Sequence, residues 1–159
     1  MKKSFLFILI LLSITLVACS KLNVQVEGDA TIITLNLSEG EVATIVSSAL
    51  VNVNDVQIQN PVIDLRPGSI YVTALVTPKG GQSTQGDLTI NVWAQDGGIQ
   101  AEVTQMNIGG LNSDEQTLTD INQKLKAAFA QSANQGQNAQ VTNVSITETQ
   151  LSFTIRIPR

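Results

Sequence analysis

Residues 88–97 of the chain read Leu-Thr-Ile-Asn-Val-Trp-Ala-Gln-Asp-Gly. Apolar and polar side chains alternate over the first eight positions, which is the pattern of a β-strand with one buried face. The Asp96-Gly97 pair that follows is typical of a two-residue hairpin turn, because the central residues of such a turn need a positive φ. We therefore expect residues 88–95 to pair antiparallel with a return strand at 99–108.

The segment before this hairpin predicts two more strands of the same meander. Residues 66–69 read Arg-Pro-Gly-Ser, an order typical of a type II turn, and strand-like residues lie on both sides of it at 56–65 and 70–77. Pro61 interrupts the first of these strands. Because proline lacks the N–H needed for pairing, we expect an edge position or a bulge there. The glycine-rich polar stretch at 78–86 predicts a loop.

Two amphipathic helices are predicted, one before and one after the meander in the sequence. Ser38 and Glu41 form a capping box for the first helix, and Ser113 and Gln116 are in the same relation for the second. Apolar residues recur at helical spacing after each cap. The first stripe consists of Val42, Ile45, Val46, Ala49 and Leu50, and the second of Leu118, Ile121, Leu125, Ala128 and Phe129.

Further strands are predicted outside the helices, at 31–37, 141–147 and 151–157. Residues 23–26 leave open whether the first of them begins earlier, before a turn at Gly28-Asp29. The element order is then β-α-β-β-β-β-α-β-β, with about six to seven strands. Strands joined by short turns are antiparallel neighbours. We therefore predict an α+β domain, in which an antiparallel sheet packs its apolar face on the two helices.

The first nineteen residues have the layout of a bacterial secretory signal. Lys2 and Lys3 precede an almost wholly apolar run at 5–16, which is shorter than the ~20 residues that span a bilayer. The run ends in Leu16-Val17-Ala18-Cys19, and this ending resembles the lipobox of bacterial lipoproteins. The alternative is an ordinary signal peptide with an incidental cysteine.

The resemblance to the lipobox implies that residues 1–18 are removed as a signal peptide. It also implies that the Cys19 thiol carries a diacylglycerol, which leaves residues 19–159 as a single lipid-anchored domain. Lipid on Cys19 would hold the protein in the cell envelope, on the extracytoplasmic side of a membrane. Because Ser20 rather than aspartate follows Cys19, the outer membrane is favoured in a Gram-negative cell, and the outer face of the cell membrane otherwise.

The length and the net charge of such a domain limit the classes of partner that it can bind. It would keep 141 of the 159 residues, enough for one hydrophobic core. Lys2 and Lys3 leave with the signal, so seven basic and thirteen acidic residues remain and the net charge is −6. An acidic domain of this kind has no electrostatic basis for binding nucleic acid.

The chain contains no histidine and a single cysteine. A Ser-His-Asp or Cys-His catalytic arrangement and a His/Cys zinc site are therefore excluded. The carboxylates lie mostly at predicted turns and helix starts, where turn chemistry and the helix dipole explain them. Gly80-Gly81 and Gly109-Gly110 lack the spacing of phosphate-binding loops. We expect no catalytic residues, no metal site and no cofactor.

A family resemblance rests on the layout of residues 38–130. A helix opens at Ser38-Glu39-Gly40-Glu41, a long antiparallel meander follows, and Gly109-Gly110 precede a helix containing Ile121-Asn122-Gln123-Lys124-Leu125. This layout resembles the tubular lipid-binding (TULIP) superfamily, especially its small bacterial members. The resemblance implies a curved sheet rolled around a helix, with an apolar groove for acyl chains. The helices here are short, which implies a half-roll that a second copy of the chain would complete as a homodimer.

Apolar strand and helix positions would line such a groove. The candidate ligand-binding residues are Ile45, Ile70, Val72, Ala74, Leu88, Ile90, Val92, Leu125 and Phe129. The alternative for each of them is a place in an ordinary hydrophobic core. Tyr71 and Trp93 lie on the opposite strand faces. There they are either partly covered surface aromatics or contacts to a lipid groove or a membrane interface.

These observations predict a membrane-anchored binding protein without catalysis, whose ligand is lipid or another apolar molecule. The first alternative is a structural or adaptor lipoprotein that binds another envelope protein through a sheet edge or the 79–86 loop. An enzyme is the least favoured alternative, because it would need two carboxylates buried together with shifted pKa values.

Overall fold

The computed structural model describes residues 22–51, 53, 56–108, 115–133 and 138–159. Cys19 with the segment before it, Gly109-Gly110 and the predicted cap at Ser113 lie outside the described residues. In the described part of the chain, no helix is both long enough and apolar enough to cross a membrane.

The described residues form eight strands and two helices, and all strand pairs among them are antiparallel. The predicted α+β class is confirmed, although the strands form two four-stranded sheets rather than one sheet of six to seven strands. The elements in chain order are β1 (Leu22–Glu27), β2 (Ala30–Ser38), α1 (Glu39–Leu50), β3 (Val56–Arg66), β4 (Ser69–Pro78), β5 (Thr84–Gln95), β6 (Gly98–Ile108), α2 (Glu115–Ala133), β7 (Gln140–Ile146) and β8 (Gln150–Pro158).

The meander sheet has the strand order β3-β4-β5-β6. Its last hairpin turns at the predicted place, where Gln95 pairs with Gly98 and both Asp96 and Gly97 have positive φ values of 53° and 75°. The interruption at Pro61 is also confirmed. Strand β3 is an edge strand, and its pairing with β4 shifts register between Gln59 and Val62.

The second sheet has the order β1-β2-β8-β7, so it pairs the first two described strands with the last two. Strands β2 and β8 pair over their full length, from Ala30 opposite Pro158 to Ser38 opposite Gln150. We call this the terminal sheet. Its alternating side chains place Leu151, Phe153 and Ile155 in the interior.

Strand β7 connects the two sheets through their backbones. The N–H of Gly68, in the β3–β4 turn, donates to the carbonyl of Ile146 at 3.0 Å. The N–H of Val141 donates to the carbonyl of Gly97, in the β5–β6 turn, at 2.9 Å. The two ends of β7 are therefore attached to the β3–β4 turn and the β5–β6 turn of the meander sheet.

Both helices pack on the inner face of the meander sheet, α1 against β3 and α2 against β6, and they also contact each other. At the start of α1, the Ser38 N–H donates to the Glu41 carboxylate at 2.9 Å, as one half of the predicted capping box. The Glu39 carboxylate accepts a hydrogen bond from the Leu65 N–H at 3.2 Å. This bond fixes the beginning of α1 to β3.

One side chain of α2 accepts a hydrogen bond from the backbone of the edge strand β6. Asn122 is partly buried, and its Oδ1 accepts the N–H of Val103 at 2.8 Å. Without that acceptor, the N–H would lie unpaired between a strand and a helix, at a cost of about 1–3 kcal/mol.

We expect Asn122→Ala to lower the free energy of unfolding by about 1 kcal/mol, because alanine's better helix propensity offsets part of the lost hydrogen bond. Urea denaturation followed by circular dichroism measures this change. The matched control is Gln123→Ala on the exposed side of α2, which should change stability by no more than about 0.5 kcal/mol. Equal stabilities of the two variants would contradict the role given to Asn122.

Candidate functional site

The nine candidate ligand-binding residues come together in the interior of the protein. They lie on the inner face of the meander sheet and on the sides of α1 and α2 that cover it. Eight of them are no more than 7% exposed, and Ile45 is partly buried against the same cluster. The eight are Ile70, Val72, Ala74, Leu88, Ile90, Val92, Leu125 and Phe129.

These side chains belong to one hydrophobic cluster that also takes in residues of the terminal sheet. Leu125 and Phe129 of α2 and Ile90 of β5 are fully buried in it. These buried side chains lie between helices and sheet, in the space where the resemblance to TULIP proteins implies a groove. Of the nine candidates, Ala74 alone lines any of the three surface clefts described next.

An apolar cleft of about 340 Å³ lies where the end of α2, the β5–β6 turn and the beginning of β7 meet. We call it the helix cleft. Most of its lining side chains are small, and the hydrogen bond between Val141 and Gly97 holds two of its walls together. Its lining residues are Gly97, Gly98, Ile99, Ala130, Gln131, Ala133, Ala139 and Val141.

The sequence patterns did not single out this cleft. Ile99, Ala133 and Val141 are buried, and strand or helix periodicity would place each of them in the core. The cleft exists because alanines and glycines on three distant segments leave space between the elements. Only the three-dimensional arrangement brings those segments together.

Two other clefts lie at the opposite strand ends and on the outer face of the meander sheet. The first, of about 550 Å³, is bordered by Val51 and Val53 after α1 and by Thr77, Pro78 and Lys79 at the end of β4. The second measures about 160 Å³. That is below the roughly 300–1,000 Å³ of typical ligand pockets.

An exposed apolar strip runs along β1. Leu22, Val24 and Val26 are 47%, 53% and 62% exposed. In the register of the terminal sheet, Leu22 is opposite Leu35 and Val24 is opposite Ile33. The apolar face of the terminal sheet therefore continues one strand beyond the part that the core covers. The sequence marked residues 23–26 only as an uncertain beginning of the first strand.

The two strand aromatics lie on the outer face of the meander sheet, as predicted. The Arg66 guanidinium covers the Tyr71 ring at 3.7 Å from its centroid. Trp93 is 37% exposed, and its indole N–H donates to the Gln95 side chain at 3.2 Å. Both aromatics are thus partly covered by neighbours on the surface.

Charged groups of the described residues are found at the surface. Among the described residues, every buried side chain is apolar. In the same part of the chain, no three carboxylate or cysteine side chains come close enough together to hold a metal ion. The Arg66–Asp64 pair at 2.9 Å and the Arg156–Asp29 pair at 3.1 Å are both substantially exposed. Pairs of this kind contribute about 0–1 kcal/mol to stability.

Comparison of the chain with protein-family models, with curated proteins and with solved structures gives no match in any of the three. The lipobox and the likeness to TULIP proteins therefore stay predictions.

Proposed function

We propose that the chain is a bacterial lipoprotein, anchored by acyl chains on Cys19 to the extracytoplasmic side of a cell-envelope membrane. Its domain is a non-catalytic binding module for lipid or another apolar ligand. The observation that carries the ligand class is the mostly apolar lining of the helix cleft, whose volume of about 340 Å³ is also within the usual range for small-ligand sites.

The composition of the helix cleft favours an apolar ligand. Ile99, Ala133, Ala139 and Val141 supply hydrocarbon to its walls, and among its described lining residues Gln131 is the one with polar side-chain atoms. A ligand with an apolar end can bury that end among the alanines. The Gln131 amide would then orient a polar end at the rim.

The distribution of carboxylates supports a function without catalysis. A pair of carboxylates working as acid and base has to share a cleft that excludes water. In the described part of the chain the interior is wholly apolar. Asp64 and Asp29 instead form surface ion pairs with arginines.

We expect Ala130→Trp to weaken binding of a fluorescent fatty acid at least about tenfold, because an indole at the exposed rim of the helix cleft fills the space that the ligand needs. Ala127→Trp is the matched control. Ala127 is an exposed alanine on the same helix and is not one of the residues that line the cleft. Fluorescence titration of the purified, acylated protein measures both affinities.

The titration has two outcomes that would count against the proposal. If both tryptophan variants bind the fatty acid like the unchanged protein, the ligand does not occupy the helix cleft. If the unchanged protein takes up no fatty acid, and native mass spectrometry finds no lipid bound to it, the apolar-ligand proposal is wrong as a whole.

The second candidate function is that of an adaptor for another envelope protein, and two observations favour it. The candidate ligand-binding residues pack in one hydrophobic cluster with other side chains of the described interior, and β1 is an edge strand of the terminal sheet. The backbone groups on the outer side of such a strand can pair with a strand of another protein. Cross-linking from Gln25 to another envelope protein in cells, together with failure of the fatty-acid titration, would favour the adaptor.

A further inference from the structure

The β1 strip, made of Leu22, Val24 and Val26, is a run of exposed apolar side chains along one edge of the terminal sheet. Alternation puts these three side chains on one face of β1 and Asn23, Gln25 and Glu27 on the other. The apolar side chains point to the same side as the core residues of β2 and β8. Yet they remain about half exposed.

Edge strands of soluble domains are usually protected by charges, prolines or bulges, since an uncovered apolar edge promotes association. Strand β1 has none of these on its apolar face. It pairs with β2 without a shift in register from Leu22 to Glu27. A regular apolar edge of this kind indicates that something outside the domain covers it.

The length of chain between Cys19 and β1 indicates what that cover is. Leu22 is three residues after Cys19, and a fully extended chain advances at most about 3.6 Å per residue. The β1 strip therefore begins within about 11 Å of the acylated residue. The headgroup layer on one side of a bilayer is about 5–8 Å thick, so a domain held this tightly cannot move β1 far from the lipid surface.

We propose that the β1 strip docks on the membrane in which Cys19 is anchored, with Leu22, Val24 and Val26 at the boundary between headgroups and acyl chains. This inference rests on the acylation proposed above. Strand β1 then sets the orientation of the whole domain relative to the bilayer. Strand β7, whose Val141 lines the helix cleft, is the opposite edge strand of the terminal sheet.

Local charges indicate that apolar contact, and not attraction to anionic headgroups, holds the strip. The charges around β1 nearly balance. Lys21 precedes the strand in the sequence, and Glu27 and Asp29 follow at its end. The Arg156 guanidinium binds the Asp29 carboxylate at 3.1 Å, and the Arg159 N–H donates to the Asp29 carbonyl at 2.9 Å. A second copy of the chain is a weaker candidate for the cover. Stable protein interfaces involve about 20–30 residues on each side, whereas β1 offers six.

The test places an environment-sensitive fluorophore on each face of β1 in the acylated mature protein, residues 19–159, reconstituted into phosphatidylcholine vesicles. Val24→Cys puts the label on the apolar face, and Gln25→Cys is the matched control on the opposite face of the same strand. The acylated Cys19 cannot react with the label. Both positions are exposed, so neither substitution should disturb the fold.

We expect brominated lipids to quench the label at position 24 at least about twofold more strongly than the label at position 25, because an interfacial segment lies ~5–10 Å deep. Replacing a third of the phosphatidylcholine by anionic phosphatidylglycerol should leave the quenching unchanged. Equal, weak quenching at both positions in acylated protein would overturn the docking.

Two further readouts separate this inference from its alternatives. Mass spectrometry of the same sample reports acylation. A protein without acyl chains overturns the proposed anchor, and the docking with it, whereas an acylated protein with an exposed label overturns the docking alone. Protection of position 24 in detergent, together with a doubled mass in sedimentation equilibrium, would show that a second copy covers the strip instead.

Discussion

Cys19→Ser is expected to abolish lipid attachment completely. When the chain is expressed in a bacterial host with an alkyne-tagged fatty acid, labelling of the variant should fall to background. The reason is chemical, since a serine hydroxyl is far less acidic than a thiol and supplies almost no anionic nucleophile for alkylation. The chain contains no other cysteine that could take the place of Cys19.

The decisive measurement for Cys19→Ser is the intact mass of the protein. The unchanged chain should lose residues 1–18 and gain a diacylglycerol, whereas the variant should keep its full length. Sedimentation with membranes is a poor readout, because the retained apolar run at 5–16 can itself bind a bilayer. Ser20→Ala is the control and should be labelled normally. An unlabelled wild-type chain, or a Cys19→Ser chain that is still labelled, would refute the anchor.

The local part of the fold was predictable because neighbouring residues alone decide it. Asp96 and Gly97 adopt the positive φ values that a two-residue hairpin turn needs. Pro61 lies at a register shift in an edge strand. Glu41 lies three residues after Ser38 and accepts its N–H. In each case the backbone conformation follows from a side chain within a few positions.

The partition into two sheets was not predictable in the same way. Alternation shows which face of a strand is buried, but it does not show which strand lies beside it. Strand β2 pairs with β8, and the Ser152 hydroxyl donates to the Asn36 side chain at 2.7 Å across 116 positions of the chain. Such a pairing depends on loop closure over the whole domain, and no local signal encodes it.

Sequence periodicity is limited in a similar way for the candidate ligand-binding residues. Periodicity correctly marks positions such as Ile70, Ile90 and Leu125 as turned away from water. It does not distinguish a side chain that packs against protein from one that packs against a bound acyl chain, because both environments are apolar. The helix cleft, by contrast, is formed by small residues whose effect depends on what lies opposite them.

Phe129→Ala separates these two environments experimentally. Phe129 is fully buried on α2. As a core residue, its truncation should lower the free energy of unfolding by about 3–5 kcal/mol, out of a total that is typically about 5–15 kcal/mol. The thermal midpoint should then fall by about 10 °C. Urea and thermal denaturation of the purified protein, followed by circular dichroism, measure both changes.

The matched variants make the outcome specific to packing. Phe129→Leu keeps most of the buried volume and should cost less than about 1.5 kcal/mol, and the exposed Ala127→Ser should cost no more than about 0.5 kcal/mol. If Phe129 instead lines a groove that lipid fills, the ligand-free protein loses few contacts on truncation. Stability would then change by about 1 kcal/mol or less, and fatty-acid uptake would fall in its place. A large loss of stability with unchanged uptake would assign Phe129 to the core and leave the helix cleft as the site for an apolar ligand.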